Sequence, residues 1–378
     1  MVGIQPLQFF QLLVNNNVEF FTGVPDSLLK QLCLCIDDNV SKDKHIIAAN
    51  EGNAIALATG FHLGTGKIAL VYMQNSGLGN AVNPLLSLAD PEVYSIPMLI
   101  LIGWRGEPGV KDEPQHVKQG KVQSDLLDSI NLRHDIISAD DSEWEQKITK
   151  GINTAITDNC PYAIIIKKGT FDKYNIVEDE IESELMTREE ALEILLKNIP
   201  TDAVIVSTTG KASREIFEIR EKNNEPHFKD FLTVGSMGHC SSIALGIALA
   251  QPKRKVICID GDGAFLMHMG SLAAIGKSQP SNFYHILMNN YVHESVGGQK
   301  TAIDSIDVQG IANSSKYAGV SYIDNKSDLE NGIKNILITK GPHFLEIKLK
   351  PGSRNDLGRP TIKPIDNKRN FIEFLKNK

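Results

Sequence analysis

One stretch constrains this chain more than any other: a short apolar run ends in Gly-Asp-Gly, passes through one helix and one strand, and closes on Asn-Asn. Residues 256–259 suit a strand buried on both faces. Gly261, Asp262 and Gly263 break that run, and the two glycines allow the backbone to approach a ligand closely. From Ala264 to residue 275 the spacing is helical, so the acidic turn sits at a helix N-terminus, where free N–H groups and the dipole favour an anion. Residues 283–288 read as the next parallel strand, with Asn289 and Asn290 at its carboxyl end. Asp262 and Asn290 are therefore expected at neighbouring strand ends, on the edge where open α/β sheets bind ligands. One carboxylate and one amide oxygen beside such a helix start suit Mg²⁺, which takes few protein ligands plus phosphate oxygens. In isolation the Gly-Asp-Gly turn fits a plain strand-to-helix junction equally well.

The rest of the chain alternates helix and strand patterns, as in parallel sheets covered on both faces. In the first half, helices are expected over 5–15, 27–36, 53–63, near 119–130 and over 142–157, and Asn75–Asn80 opens another. Strands are expected at 19–22, 45–49, 67–73, 97–103, 134–138 and 162–167. Residues 170–186 are polar, acidic and aperiodic, and read as a linker. Thr187 is a good N-cap for the helix that follows, and Glu190 completes a capping box. Further strands are expected at 203–207, 231–234, 256–259, 283–288 and 343–349, with no visible internal repeat. The expected fold class is α/β: two doubly wound parallel-sheet domains, 1–169 and 187–378, joined by the 170–186 linker.

A net charge of −7 argues against nucleic-acid and anionic-membrane partners. Cys33, Cys35, Cys160, Cys240 and Cys258 form no CxxC and read as buried free thiols of a reducing compartment. No 18-residue apolar span occurs, and the N-terminus lacks the charged and apolar regions of a secretory signal. The expected location is the cytoplasm.

The Gly-Asp-Gly…Asn-Asn spacing resembles the signature of thiamine diphosphate enzymes. Their Asp, second Asn and a nearby backbone carbonyl bind the Mg²⁺ that holds the diphosphate. Carried over, the metal ligands are Asp262, Asn290 and the carbonyl of Val292, with Gly261, Gly263 and Ala264 beside the diphosphate. The stretch AANEGNAIALATGFHLGTG resembles the pyrimidine-binding domain of the decarboxylases of this family. The resemblance implies that Glu51 hydrogen-bonds N1′ of the aminopyrimidine, which favours the imino tautomer that removes the thiazolium C2 proton. Read on its own, Glu51 equally suits a first-turn acid stabilising the helix dipole. Gly235 matches the glycine whose carbonyl meets the 4′-amino group, and Met237 the apolar wedge that bends the cofactor. Without the resemblance, Met237 reads as gap-filling core. Thr209 and Gly210, at a strand end, are expected to touch the diphosphate, although an ordinary Ser/Thr turn reads the same way.

The resemblance spans essentially the whole chain, first the pyrimidine domain and then the diphosphate domain, with no room for the third domain most such decarboxylases insert. The segments GVPDSLL, NSGLGNAVNPL, GWRGEPGVKDEPQHVKQG, STTGKASRE and NNYVHESVGGQKT most resemble the phosphonopyruvate decarboxylases. The sulfopyruvate decarboxylases come next. Asp26 matches a catalytic Asp of pyruvate-type decarboxylases, or else caps the 27–36 helix. Gln115 and His116 stand where those enzymes carry paired histidines, which leaves His116 as the acid–base group. Asn75, Ser76, Arg105, Lys211, Arg214, His293 and Glu294 are the expected contacts of a small anionic 2-oxo acid, though each charge also suits a solvated surface. The family further implies a homodimer or higher homo-oligomer with the active site at the subunit interface. A nucleotide-dependent dehydrogenase is disfavoured because GTGK at 64–67 precedes a strand instead of following one. A cofactor-binding module without catalysis is disfavoured by the presence of both Glu51 and the metal signature.

Overall fold

The structure, a computed structural model, describes residues 3–175 and 184–376. The chain divides into two compact units, Met1–Asp179 with Ser295–Gln299 and Glu180–Glu294 with Lys300–Lys378.

The first unit carries six strands: β1 Phe20–Gly23, β2 His45–Ile47, β3 Ala69–Gln74, β4 Met98–Gly103, β5 His134–Ile137 and β6 Pro161–Ile166. They form one parallel sheet in the order β2-β1-β3-β4-β6-β5. Its helices are α1 Pro6–Asn15, α2 Lys30–Asn39, α3 Glu51–Thr65, α4 Leu78–Pro84, α5 Pro114–Ser129 and α6 Trp144–Asp158. Side chains alternate across the pleat. Leu70 and Tyr72 of β3 join one apolar cluster, while Ala69, Val71 and Met73 join the cluster on the opposite face. Both faces are thus buried, as the continuous apolar runs require.

The second unit repeats this plan. Strands β7 Val204–Ser207, β8 Asp230–Leu232, β9 Val256–Gly261, β10 Phe283–Asn289, β11 Gly319–Ile323 and β12 His343–Lys348 run parallel in the order β11-β12-β10-β9-β7-β8. Counted from its own first strand and read from the other edge, this is the strand order of the first unit. The repeat, not visible in the residues, exists in topology. The helices are α7 Arg188–Asn198, α8 Lys211–Lys222, α9 Cys240–Ala250, α10 Asp262–Met267, α11 Ser271–Ser278, α12 Val308–Ser314, α13 Lys326–Ile338 and α14 Pro364–Lys376. Thr187 and Glu190 form the expected capping box at α7.

Four expectations are corrected. The helix expected over 264–275 is two helices, α10 and α11, broken at His268–Gly270, where glycine weakens helical propensity. The α5 helix opens earlier than expected because Pro114 occupies its first turn, a position proline favours, so Gln115 and His116 lie on the helix. Strand β11 is an edge strand with partly exposed Ser321 and Tyr322, and it lacks the apolar run that would mark it. Of the 170–186 linker, residues 176–183 lie outside the described residues, and Phe171 pairs with Ile4 in a parallel bridge, so the linker's start belongs to the first unit. No helix among the described residues is long and apolar enough to cross a membrane.

The second unit is pinned by a buried ion pair. Arg220 on α8 is 1% exposed and donates from Nε to Asp230 Oδ2 at 2.9 Å and from Nη2 to Oδ1 at 3.2 Å, and it also pairs with Glu225. Removing one partner of such a pair strands a buried charge. Asp230→Ala is expected to lower stability by about 3–5 kcal/mol, while replacing the pair together by Arg220→Met with Asp230→Leu recovers most of the loss. Urea unfolding of the two variants checks this, and equal losses would contradict it.

Candidate active site

In the first unit the strand order reverses between β1 and β3, and the carboxyl ends at such a switch point form a ligand crevice. Asp26 lies just past β1 and is fully buried. Its Oδ1 accepts from Gln74 Nε2 at 2.7 Å and its Oδ2 from the Leu28 N–H at 3.0 Å. Helix α2 starts only at Lys30 with Leu29 at its cap, so Asp26 organises the turn before the helix and does not cap it. Gly103, at the end of β4, leaves the room: a Cβ there would fall 2.1 Å from Asp26 Oδ2. Burial pushes the Asp26 carboxyl up, against the pull of Gln74, the Leu28 N–H and Arg105.

Glu51 is the first residue of α3, behind the N-cap Asn50, whose side chain accepts the Asn53 N–H. It is 5% exposed, and Asn80 Nδ2 donates to its Oε2 at 2.7 Å. A Cβ on Gly77 would sit 2.3 Å from Glu51 Oε1, so the one-turn 3₁₀ helix Asn75–Gly77 closes directly over the carboxylate. Asn75 Nδ2 donates to the Arg105 carbonyl at 2.7 Å, and Ser76 Oγ to Gln74 Oε1 at 2.8 Å. Arg105 pairs with Asp112, Nε to Oδ2 at 2.8 Å and Nη2 to Oδ1 at 2.5 Å, while Nη1 reaches Ser27 Oγ at 2.9 Å. Burial opposes ionisation of Asp112, but the Arg105 pair and the N–H groups of Glu113 and Gly106 outweigh it and hold the carboxyl below its ordinary range. His116 is buried on the first turn of α5, and burial followed by the Arg105 charge lowers its pKa. Buried polar atoms without a hydrogen-bond partner gather on these elements: Asn75 Oδ1, Gln115 Oε1, His116 Nδ1 and Gln119 Oε1. Unsatisfied buried groups are costly, and a set of them at strand ends and one helix start fits a polar ligand.

In the second unit the order reverses between β7 and β9. Past β7, Thr209 Oγ1 accepts the Gly235 N–H at 2.9 Å, and Gly210 caps α8 at φ 100°, a conformation glycine alone adopts easily. Gly235, Ser236 and Gly238 all have positive φ, which folds the 235–238 loop tightly around Met237. Past β9, Asp262 opens α10; its Oδ1 accepts the Gly263 N–H at 2.8 Å and its Oδ2 the Thr301 hydroxyl at 3.1 Å. Burial raises the Asp262 carboxyl to about 6, against the Gly263 and Thr301 hydrogen bonds. At the end of the adjacent strand β10 is Asn290, 4% exposed, followed by Tyr291 at φ 65°. A tyrosine in the left-handed region is held there by its surroundings and marks a constrained loop. The Val292 carbonyl accepts the Glu294 N–H at 2.9 Å and keeps a second lone pair. His293 and the Met237 methyl both lie against Gly263, and burial lowers the His293 pKa to about 4. The Thr208 hydroxyl is buried and without a partner.

The expected residues therefore fall into two groups. Asp26, Glu51, Asn75, Ser76, Arg105, Gln115 and His116 cluster at the strand ends of the first unit. Thr209, Gly210, Lys211, Gly235, Met237, Gly261, Asp262, Gly263, Ala264, Asn290, Val292, His293 and Glu294 cluster in the second. Arg214 departs from this pattern: its guanidinium donates from Nε to the Gly358 carbonyl at 2.6 Å and also reaches the Leu357 carbonyl, serving the fold. Lys211 Nζ lies 3.6 Å from Glu294 Oε1. Sequence reasoning missed Asn80, Gln74, Asp112 and Thr301, each of which fixes an expected residue through one long-range or loop contact. A carboxylate, an amide oxygen and a backbone carbonyl at adjacent strand ends, beside a helix start, are a donor set for a hard cation that also carries phosphate oxygens.

Residues 8–130 match the family described as the thiamine pyrophosphate enzyme N-terminal TPP binding domain, and residues 208–347 its C-terminal TPP binding domain. The chain is 34% identical to a phosphonopyruvate decarboxylase of Streptomyces viridochromogenes over 96% of this chain and 93% of that protein. A second phosphonopyruvate decarboxylase, from Streptomyces hygroscopicus, is 34% identical over 96% of this chain and 92% of its own. A sulfopyruvate decarboxylase of Methanosarcina acetivorans is 26% identical over 97% of this chain and 96% of its own.

A cation bound at Asp262 would compete with the proton that burial favours there. Divalent-cation affinity in the presence of thiamine diphosphate is expected to be level above about pH 6 and to fall up to about tenfold per pH unit below it. Calorimetric titrations from pH 5 to 8 measure this, and an affinity unchanged down to pH 5 would contradict it.

Proposed function

Because this chain belongs to the thiamine pyrophosphate enzymes, we propose that it is a thiamine diphosphate- and Mg²⁺-dependent decarboxylase of 3-phosphonopyruvate. It releases CO₂ and phosphonoacetaldehyde and serves phosphonate biosynthesis in the cytoplasm. The observation that carries this reading is likeness to two phosphonopyruvate decarboxylases along nearly the whole chain. The five cysteines are free and buried, in keeping with a reducing compartment.

When bound, thiamine diphosphate supplies the electron sink for loss of CO₂ from a 2-oxo acid. Asp262, Asn290 and the Val292 carbonyl would hold Mg²⁺, and the starts of α8 and α10 would supply N–H groups for the diphosphate. Glu51, fixed by Asn80 and closed over by Gly77, would hold a proton at N1′ of the pyrimidine. Gly235 would offer its carbonyl to the amino group of the pyrimidine, and Met237 would pack against the cofactor. Asp26 and His116 handle the proton that replaces CO₂ on the product carbon. The raised Asp26 pKa favours the acid form, and the lowered His116 pKa keeps the imidazole neutral at pH 7. Burial of these groups excludes water from the proton transfers.

A phosphonate brings up to two charges and three acceptor oxygens. Asp112 and Ser27 use three of the five Arg105 N–H groups and leave two for such a ligand. Asn75 and Gln115 each keep an amide N–H for it, whereas Ser76 spends its O–H on Gln74. A site built for these contacts leaves donors unpaired when pyruvate's methyl group arrives. The expected order of kcat/KM is phosphonopyruvate, then sulfopyruvate, then pyruvate, with the last penalised by roughly 10⁴-fold. CO₂ release from the three acids in one Mg²⁺ buffer decides the matter. If sulfopyruvate wins, it becomes the substrate; if pyruvate wins, the anion-pocket argument is lost.

The active unit is a homodimer or a multiple of one, in which Glu51 of one copy serves the metal site of the other. Glu51→Gln and Asp262→Ala are each expected to lose nearly all turnover. Mixed as dissociated and reassociated chains, they restore up to about a quarter of wild-type activity, because half the dimers are hybrids with one intact site. No recovery from verified hybrids would place each site within a single chain.

A further inference from the structure

Asparagine is an awkward metal ligand, because its two ends are opposite in character: the oxygen binds a cation and the NH₂ repels it. Something must decide which end faces the site. Asn290 Nδ2 lies 3.2 Å from Glu294 Oε2, and its Oδ1 receives the Val292 N–H at 3.3 Å. A carboxylate only accepts, so the end of the amide beside Glu294 has to be the NH₂, and the oxygen is turned the other way. Glu294 is itself fixed. Arg188 Nη1 donates to the same Oε2 at 2.6 Å, while Arg188 Nε and Nη2 grip the buried Glu215 at 2.6 and 2.8 Å. Lys211 faces the other oxygen, Oε1. The main chain adds a second tie, since the Glu294 N–H donates to the Val292 carbonyl. One residue thus touches two of the three groups assigned to the cation.

We propose that Glu294 is a positioning residue for the metal site: its Oε2, locked by Arg188, fixes the Asn290 amide with the oxygen toward the cation. This rests on the reading that Asp262 and Asn290 hold the metal. It assigns Glu294 to orienting a metal ligand and not to contacting substrate. Groups that orient ligands in this way typically matter by 10–100-fold in metal affinity.

The probe is Mn²⁺, titrated into the full-length protein at saturating thiamine diphosphate and read by electron paramagnetic resonance. Glu294→Ala is expected to weaken Mn²⁺ by about 10–100-fold. Its fold is expected to persist, because Arg188 keeps Glu215, and far-ultraviolet circular dichroism checks that. Glu294→Met, which fills the space without an acceptor, takes its place if the alanine variant does not fold. Glu294→Gln discriminates acceptor from charge. Its carbonyl can stand where Oε2 stands and serve both Arg188 and Asn290, so affinity is expected within about threefold of wild type. Wild-type affinity in Glu294→Ala, or an equal loss in Glu294→Gln, would overturn the inference. Asp262→Ala separates the two levels. If it abolishes Mn²⁺ binding while Glu294→Ala does not, only the positioning role falls; if it too binds normally, the metal-site reading falls and this inference with it.

Discussion

A strand buried on both faces has no place for polar chemistry along its length, and that single constraint distributes function in this chain. The central strands β3, β4, β9 and β10 are closed to water over almost every residue, and apart from the buried pair of His285 on β10 with Asp260 on β9, 3.3 Å apart, they are mostly apolar. Charged and amide groups are expelled to the carboxyl ends, where main-chain N–H groups of the following helices also point. Asp26, Glu51, Asp262 and Asn290 all stand there. Their burial is costly, so each has a specific partner: Gln74 and the Leu28 N–H, Asn80, and the Gly263 N–H with Thr301 donate to the three carboxylates, and Glu294 accepts from the Asn290 amide.

Those ties explain two glycines. Gly77 and Gly103 have ordinary backbone conformations, so neither is needed for a turn. Each is needed for space, because a methyl group at either position would strike a buried carboxylate oxygen. Small residues here let a carboxylate lie under a main-chain lid, out of water and in one orientation. Orientation is what proton transfer at a fixed atom requires.

The fold class and the two strand-to-helix junctions were legible in the residues because apolar period, glycine breaks and capping boxes are local signals. Asp262 and Asn290 could be paired from sequence because one helix and one strand return the chain to the next position in the sheet. The Arg105–Asp112 clamp was not legible: two charges seven residues apart in a loop carry no period. The carbonyls of residues 357 and 358 that meet Arg214 were not legible either, because a lone arginine on a helix gives no sign of them. The identical strand order of the two units left no mark on the residues, since topology constrains burial and leaves side-chain identity free.

That shared order separates scaffold from chemistry. Both units place a switch point at the corresponding pair of strand ends, so the fold alone offers two equivalent crevices. What distinguishes them is the sign of the groups each presents. The first has Glu51 and Asp26 tied by amides, with Arg105 held by Asp112 and two of its N–H groups left over, which suits exchange of protons beside a small anion. The second has two helix starts, one carboxylate and an amide, which suits a cation joined to phosphates. A cofactor with a basic heterocycle at one end and a diphosphate at the other needs both kinds of crevice. A chain that repeats one topology with two different sets of end residues supplies both.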